Sequence, residues 1–153
     1  MIRLAVKNDI EKVNILRKQV NDLHVKGEPQ IFKGFTNELK EYVNNFIQDE
    51  NKMLLVFEDG GKIISYAMLE ILEKPETSYR FATKFLEIHE IGVDLNCHSK
   101  GIGQQMMEKI KQIAKEKDLN QIQLDCWSFN QKALKFYDKQ EFKKYREYFR
   151  LFI

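Results

Sequence analysis

Cysteine, proline and tryptophan are nearly absent from this chain of 153 residues, which holds two, two and one of them. Two cysteines, Cys97 and Cys126, cannot build the bridge network of a small secreted domain. They suit free thiols in a reducing compartment, so a cytoplasmic location is expected. An excess of charge of one sign is missing too. The 25 Lys and Arg residues face 23 Asp and Glu, interleaved along the chain, and no concentrated basic stripe marks a nucleic-acid partner. No window approaches the roughly 18 uninterrupted apolar residues of a membrane span. Near the N-terminus, Met1 to Val6 gives way to Lys7-Asn8-Asp9 before a signal-peptide core can form. Neither a membrane nor a nucleic acid is therefore expected as a partner. Repeats and low-complexity stretches are also lacking.

What is present is the mixture of a folded protein, with 43% hydrophobic and 31% charged residues. The length fits one domain, residues 1–153, large enough to bury a core without disulfide or metal staples. Ile2 to Val6 reads as a strand. Asn8 with Glu11 three residues on predicts a helix start before the stripe Ile10, Val13, Leu16, Val20 and Leu23. Gly27 to Phe35 reads as a loop, and Leu39, Val43, Phe46 and Ile47 as a second helix. Lys52 to Glu58 and Ile63 to Leu72 flank Asp59-Gly60-Gly61-Lys62, whose glycines supply the positive φ angles of a tight hairpin.

Phe85 to Val93 is a further strand. Gly101 then opens a long helix with Ile102, Met106, Ile110 and Ile113 on one face. Gln121 to Trp127 is strand-like, Asn130 to Lys139 helical, and Phe142 to Ile153 alternates in the manner of one or two terminal strands. The order β, α, α, β, β, β, α, β, α, β predicts an α/β domain, a mixed and partly antiparallel sheet with helices on both faces.

Between a strand and a helix lies His98-Ser99-Lys100-Gly101-Ile102-Gly103. Backbone N–H groups at such a helix start favour an anion, and glycine lets the backbone approach it closely. On the two glycines alone, an ordinary strand-to-helix turn is the commoner explanation. A dinucleotide fingerprint would need a third glycine where Met106 stands, and a P-loop its Gly-Lys-Ser/Thr. His89, Cys97 and His98, with His24 and Cys126 elsewhere, match no zinc spacing, so no metal is expected.

Val93 to Gly103 resembles the acetyl-CoA motif of the GNAT N-acetyltransferase family, R/Q-x-x-G-x-G/A after a strand ending in Val. Asn130, Ala133, Phe136, Tyr137, Lys139 and Phe142 resemble the family's second motif, N-x-x-A-x-x-F-Y-x-K-x-G-F. Two departures stand out: His98 replaces the usual Arg or Gln, and Glu141 the usual Gly before Phe142. The resemblance implies a single GNAT-like domain using acetyl-CoA as cosubstrate. It also implies that Ile91, Gly92 and Val93 hold the pantetheine arm at a splayed strand edge. Ser99, Lys100, Gly101, Ile102, Gly103 and Gln104 would cradle the pyrophosphate. Asn130 and Tyr137, close to two helical turns apart, would face the thiol end. Without the motif, Tyr137 reads as a half-buried core aromatic.

The implied reaction is direct attack of a primary amine, on a small molecule or a peptide, upon the thioester. A protonated amine needs a base, and different branches of the family nominate different residues here, Glu87 or Asp125. Strand parity places Glu87 with Ile91 and Val93, and Glu90 on the opposite face unless a bulge reverses the alternation. His89 offers a proton relay. Tyr137 would protonate the departing thiolate. The changes at His98 and Glu141 keep an alternative open, a non-catalytic GNAT-like module that binds CoA or a partner protein. The acceptor pocket is expected from Gly27 to Phe35 and Glu73 to Lys84, where acidic and basic residues cancel. Tyr145 to Ile153 fits either a sheet completed across the two-fold axis of a homodimer or one completed within the subunit.

Overall fold

The computed structural model describes residues 1–97 and 101–153. Strands β1 (Ile2–Leu4), β2 (Lys52–Asp59), β3 (Lys62–Lys74), β4 (Thr83–Val93) and β5 (Ile122–Gln123) form one sheet in that spatial order. The first three pairings are antiparallel and the last is parallel. The β2–β3 hairpin turns at Gly60 and Gly61, with φ of 54° and 76°, as the glycine pair predicts.

Four helices follow the hydrophobic periodicity: α1 (Ile10–Gly27), α2 (Asn37–Phe46), α3 (Ile102–Glu116) and α4 (Gln131–Lys139). Val13 and Leu16 of α1 and Val43 and Phe46 of α2 pack on Leu54, Val56, Tyr66 and Met68. On the other face, Met106, Met107, Ile110 and Ile113 of α3 pack on Leu55, Ala67, Leu69, Leu86 and Ile88, joined by Phe136 and Tyr137 of α4. Alternate residues of each central strand therefore enter opposite cores, each fully buried side chain contributing about 1.5–3 kcal/mol.

Several expectations need correction. Residue 142 onward forms no strand. Phe142 packs against the α3 core, but Tyr148, Phe149 and Leu151 are more than four-fifths exposed. Alternation marks strand-forming capacity, but the tail meets β5 through a side chain, Tyr145 Oη donating to Gln123 Oε1 at 2.8 Å, and not through a backbone ladder. The helix start falls at Ile10 with Asp9 as the flanking residue, because Asp9 is drawn into a pair with Arg3 at 2.6 Å and accepts from the Val6 N–H at 2.8 Å. Leu23 is exposed. The strand expected over 121–127 is regular only at Ile122–Gln123, since β4 and β5 diverge after Leu86↔Ile122 and Glu87↔Gln123.

A bulge in β4 has the largest consequence for function. Leu69 faces Ile88 while Met68 faces Glu90, so His89 is an extra residue in the ladder. Such an insertion reverses alternation beyond it. Glu87 lies opposite Glu70, and Ile91 opposite Ala67 in the α3 core. Glu87 thus does not share a face with Ile91, contrary to parity. It stands on the α2 side together with Glu90, which faces Met68.

Candidate active site

Divergence of β4 from β5 opens a cleft of about 1690 Å³ that runs between the two faces of the sheet. At one end it is bounded by Gly101, Ile102, Gly103 and Gln104 at the start of α3, and by Lys132, Lys135 and Lys139 of α4. Gly101 flanks the helix in the left-handed region, φ 72°, and a side-chain carbon built there would meet nothing within 4 Å. It brings no capping side chain of its own, and the amides of a helix's first turn, which lack partners within the helix, favour an anion. Ser99 and Lys100, the other expected cradle residues, and His98 lie outside the described residues.

Ile91, Gly92 and Val93 form the cleft's floor. Their inner edge is paired with Ala67, Tyr66 and Ser65, and Ser65 Oγ donates to the Gly92 carbonyl at 2.8 Å. Among the described residues, no strand covers the outer edge of β4 beyond Glu87. Gly92 is required sterically, because a Cβ would sit 2.6 Å from the Tyr66 ring and 3.0 Å from Val20. A glycine-flanked helix start, three basic residues on one helix and a strand edge that no strand covers among the described residues together suit the length and chemistry of CoA.

Tyr137 lines the cleft, as do Asn130 and Asp125. Asn130 is not within the helix as the spacing predicts. It precedes Gln131, and its Oδ1 accepts from the Ala133 N–H at 3.2 Å, so it starts the helix that carries Tyr137. Burial raises the Tyr137 phenol above its ordinary range, with Cys126 and Asp125 adding to the effect. It therefore stays protonated at neutral pH and is an O–H donor. Burial also raises the Glu87 carboxyl, and Asp125 pushes it the same way against His89 and Lys74. Asp125 lines the cleft whereas Glu87 does not. Glu87 sits instead at the last β4–β5 pair, where the strands part.

The other end of the cleft is walled by α1, α2 and the segment between them. Here lies a cluster that sequence reasoning missed. Arg17, 2% exposed, reaches Glu90 through Nε at 2.9 Å and Nη2 at 2.8 Å, and donates to the Leu39 carbonyl. Tyr66 Oη donates to Glu90 at 3.1 Å. A signal was present, since Arg17 stands four residues after Val13 on the apolar stripe of α1. Beside it, Phe32 and Trp127 meet edge-on at 5.0 Å and Trp127 stacks on Phe129 at 6.3 Å. Gly27 closes this wall, for a Cβ there would lie 2.5 Å from the Phe129 ring. Of the two segments expected to form the acceptor pocket, Ile31 to Phe35 line the cleft and 73–84 do not.

Comparison with known proteins follows the same outline. The model of the acetyltransferase (GNAT) family matches residues 18–142. The chain belongs to this family of acetyltransferases. A tetramutant of the BH1408 protein from Bacillus halodurans superposes with a TM-score of 0.94 at 28% identity, over 100% of this chain and 99% of that one. The acetyltransferase from Vibrio fischeri gives 0.68 at 22% identity, over 83% and 96%. Aminoglycoside N-acetyltransferase AAC(6')-Iy in complex with CoA gives 0.74 at 15% identity, over 100% and 98%, which is a likeness of fold. The same enzyme with the bisubstrate analogue CoA-S-monomethyl-acetylneamine gives 0.77. No curated protein matches the chain.

Proposed function

We propose that this protein transfers the acetyl group of acetyl-CoA to a primary amine of a small molecule or peptide, by direct attack in a ternary complex. The observation that carries the reading is the through-cleft itself. The glycine-flanked start of α3, Glu90 with His89, and Tyr137 all line this one cleft. Likeness to aminoglycoside N-acetyltransferases supports a small-molecule amine, and residues 1–153 serve as one domain. Free Cys97 and Cys126 fit the cytoplasm, where acetyl-CoA and reduced thiols coexist.

Acetyl-CoA supplies an activated acyl group, and the protein's part is chiefly to hold both reactants in line. Ile91, Gly92 and Val93 orient the pantetheine by backbone pairing, a Val93 N–H meets the developing oxyanion, and Gly101 to Gln104, with Ser99 and Lys100, bind the pyrophosphate. Asn130 sets the first turn of the helix bearing Tyr137, whose hydroxyl donates toward the departing sulfur. The amine's proton leaves through the polar region where β4 and β5 part, marked by Glu87 and Asp125.

The exposed tail from Tyr145 to Ile153 and the outer edge of β5, which pairs with no strand among the described residues, support a homodimer in which two copies cover one another's tails and edges. Sedimentation at high concentration tests it, and a monomer would end it.

Calorimetric titration of acetyl-CoA, with the Gly101→Glu variant alongside, tests the main reading. Expected is binding that the variant loses, together with CoA release in a panel of aminoglycosides, polyamines and peptide N-termini. No binding by the folded wild-type protein would end the reading. Binding without turnover across the panel would favour a non-catalytic CoA-binding or protein-interaction module.

A further inference from the structure

The structure assigns the immediate proton acceptor of the proposed reaction to His89, the bulged residue of β4, oriented by the carboxylate of Glu70 on β3; this rests on the acetyltransferase reading above. Three observations carry it. Insertion of His89 into the ladder takes its side chain out of regular alternation, and His89 lines the cleft together with Glu90, whereas Glu70 and Glu87 do not line it. His89 Nε2 lies 2.6 Å from Glu70 Oε2. The imidazole also packs edge-on against the buried Phe46 ring, with centroids 6.0 Å apart and planes at 88°, which fixes its tilt.

Chemistry then decides which nitrogen is basic. An ionised carboxylate only accepts hydrogen bonds, so Nε2 carries the hydrogen and donates it to Glu70. In the neutral ring Nδ1 is consequently the atom with the available lone pair. A carboxylate behind an imidazole selects one tautomer and stabilises the imidazolium that forms on the opposite side. Glu70 is itself faced by Lys52, at 3.9 Å from its second oxygen. The other charged or titratable groups around the ring are Glu87 and Glu90 on β4, Arg17 on α1, engaged by Glu90, and Tyr42 on α2. Glu90 is not free to take the role, because both of its oxygens are held by Arg17 and one also by Tyr66.

The step balances as follows. The ammonium form of the acceptor gives one proton to His89 Nδ1, and its freed lone pair forms the N–C bond at the acetyl carbonyl carbon. Collapse breaks the C–S bond. Sulfur takes the Tyr137 proton, and the phenolate recovers the second proton lost by nitrogen. One amide and one thiol result, and the remaining proton passes from His89 to solvent by way of the polar region marked by Glu87 and Asp125.

Three variants and two readouts test the assignment. By ¹⁵N NMR, with the His89 signals identified by their loss in His89→Gln, the neutral ring is expected as the Nε2–H tautomer in wild type and as a mixture in Glu70→Gln. This measurement needs no acceptor. With an acceptor from the panel, His89→Gln is expected to lower kcat by about 100-fold, to leave acetyl-CoA binding within two-fold, and to remove the acid limb of the pH–rate profile. Glu70→Gln should lower kcat by roughly ten-fold, and the double variant should be no slower than His89→Gln alone. An Nδ1–H tautomer in wild type, or an acid limb that survives in His89→Gln, overturns the assignment. Wild-type protein that fails to bind acetyl-CoA overturns the acetyltransferase reading, and the assignment with it.

Discussion

Arg17 and Glu90 form a two-point ion pair that binds the first helix to β4 one residue before Ile91, Gly92 and Val93 on the floor of the cleft. Both guanidinium–carboxylate contacts are shorter than 3.0 Å, and the same guanidinium holds the Leu39 carbonyl of α2. Phe35 and Tyr42 lie over it at 5.6 and 5.8 Å. One side chain thus positions α1, α2 and the segment between them relative to β4. Truncating one partner leaves a charge largely withdrawn from water. Arg17→Met should therefore destabilise folding by about 3 kcal/mol. The double change Arg17→Met with Glu90→Leu should recover part of that loss, since no lone charge remains. Urea titrations of the three proteins measure this, and a double variant as unstable as the single one would contradict it.

Tyr137→Phe separates chemistry from binding. The aromatic ring is packed edge-on against Phe136 and Phe142 at 5.5 and 5.8 Å, and phenylalanine preserves that packing while deleting the donor. We expect kcat to fall by about ten-fold to a hundred-fold, with acetyl-CoA affinity and thermal midpoint nearly unchanged. An unchanged kcat would remove Tyr137 from the reaction.

Local rules made much of this architecture legible, and their reach explains the gaps. The α3 stripe of Ile102, Met106, Ile110 and Ile113, the glycine hairpin at 60–61 and the helix start at Gly101 are written in periodicities of a few residues. His89's role is not local, because the bulge is defined only by how β4 lies against Leu69 and Met68 of β3. Strand parity says only which face Glu90 takes, and its charge is interpretable only with Arg17, 73 residues away. The tail shows the opposite limit: its alternation describes a capacity and names no partner, and within this subunit no strand forms from residue 142 onward.

Glu141 occupies a left-handed conformation, φ 70°, just past α4, where the family resemblance leads one to expect glycine. The backbone closes around it, with Phe142 N donating to the Tyr137 carbonyl at 3.0 Å and Gln140 N to the Phe136 carbonyl at 3.0 Å. These bonds fix the end of the helix that carries Tyr137 and force a side chain into a region glycine enters freely. Glu141→Gly should stabilise the protein by about 0.5–1 kcal/mol after the entropy of the unfolded glycine is offset. The melting temperature should rise by roughly 1–4 °C. A lower midpoint would show that the glutamate gains more from its surroundings than the left-handed backbone costs.

Glu87 should show that a functional environment carries a stability cost, and the sign can be worked out. Burial, with Asp125 next, raises its pKa above the ordinary 4.5, so the folded state resists ionisation more than the unfolded chain does. The unfolded carboxyl loses its proton first as pH rises from about 4, and from there folding weakens until the folded pKa is passed. At neutral pH the whole penalty is present. Glu87→Gln, which cannot ionise, should be more stable than wild type at pH 7 and nearly equal to it at pH 4. Urea unfolding at the two pH values tests this directly. Equal differences at both would mean that packing, not charge, governs the position, and would withdraw Glu87 from the groups through which the amine's proton leaves.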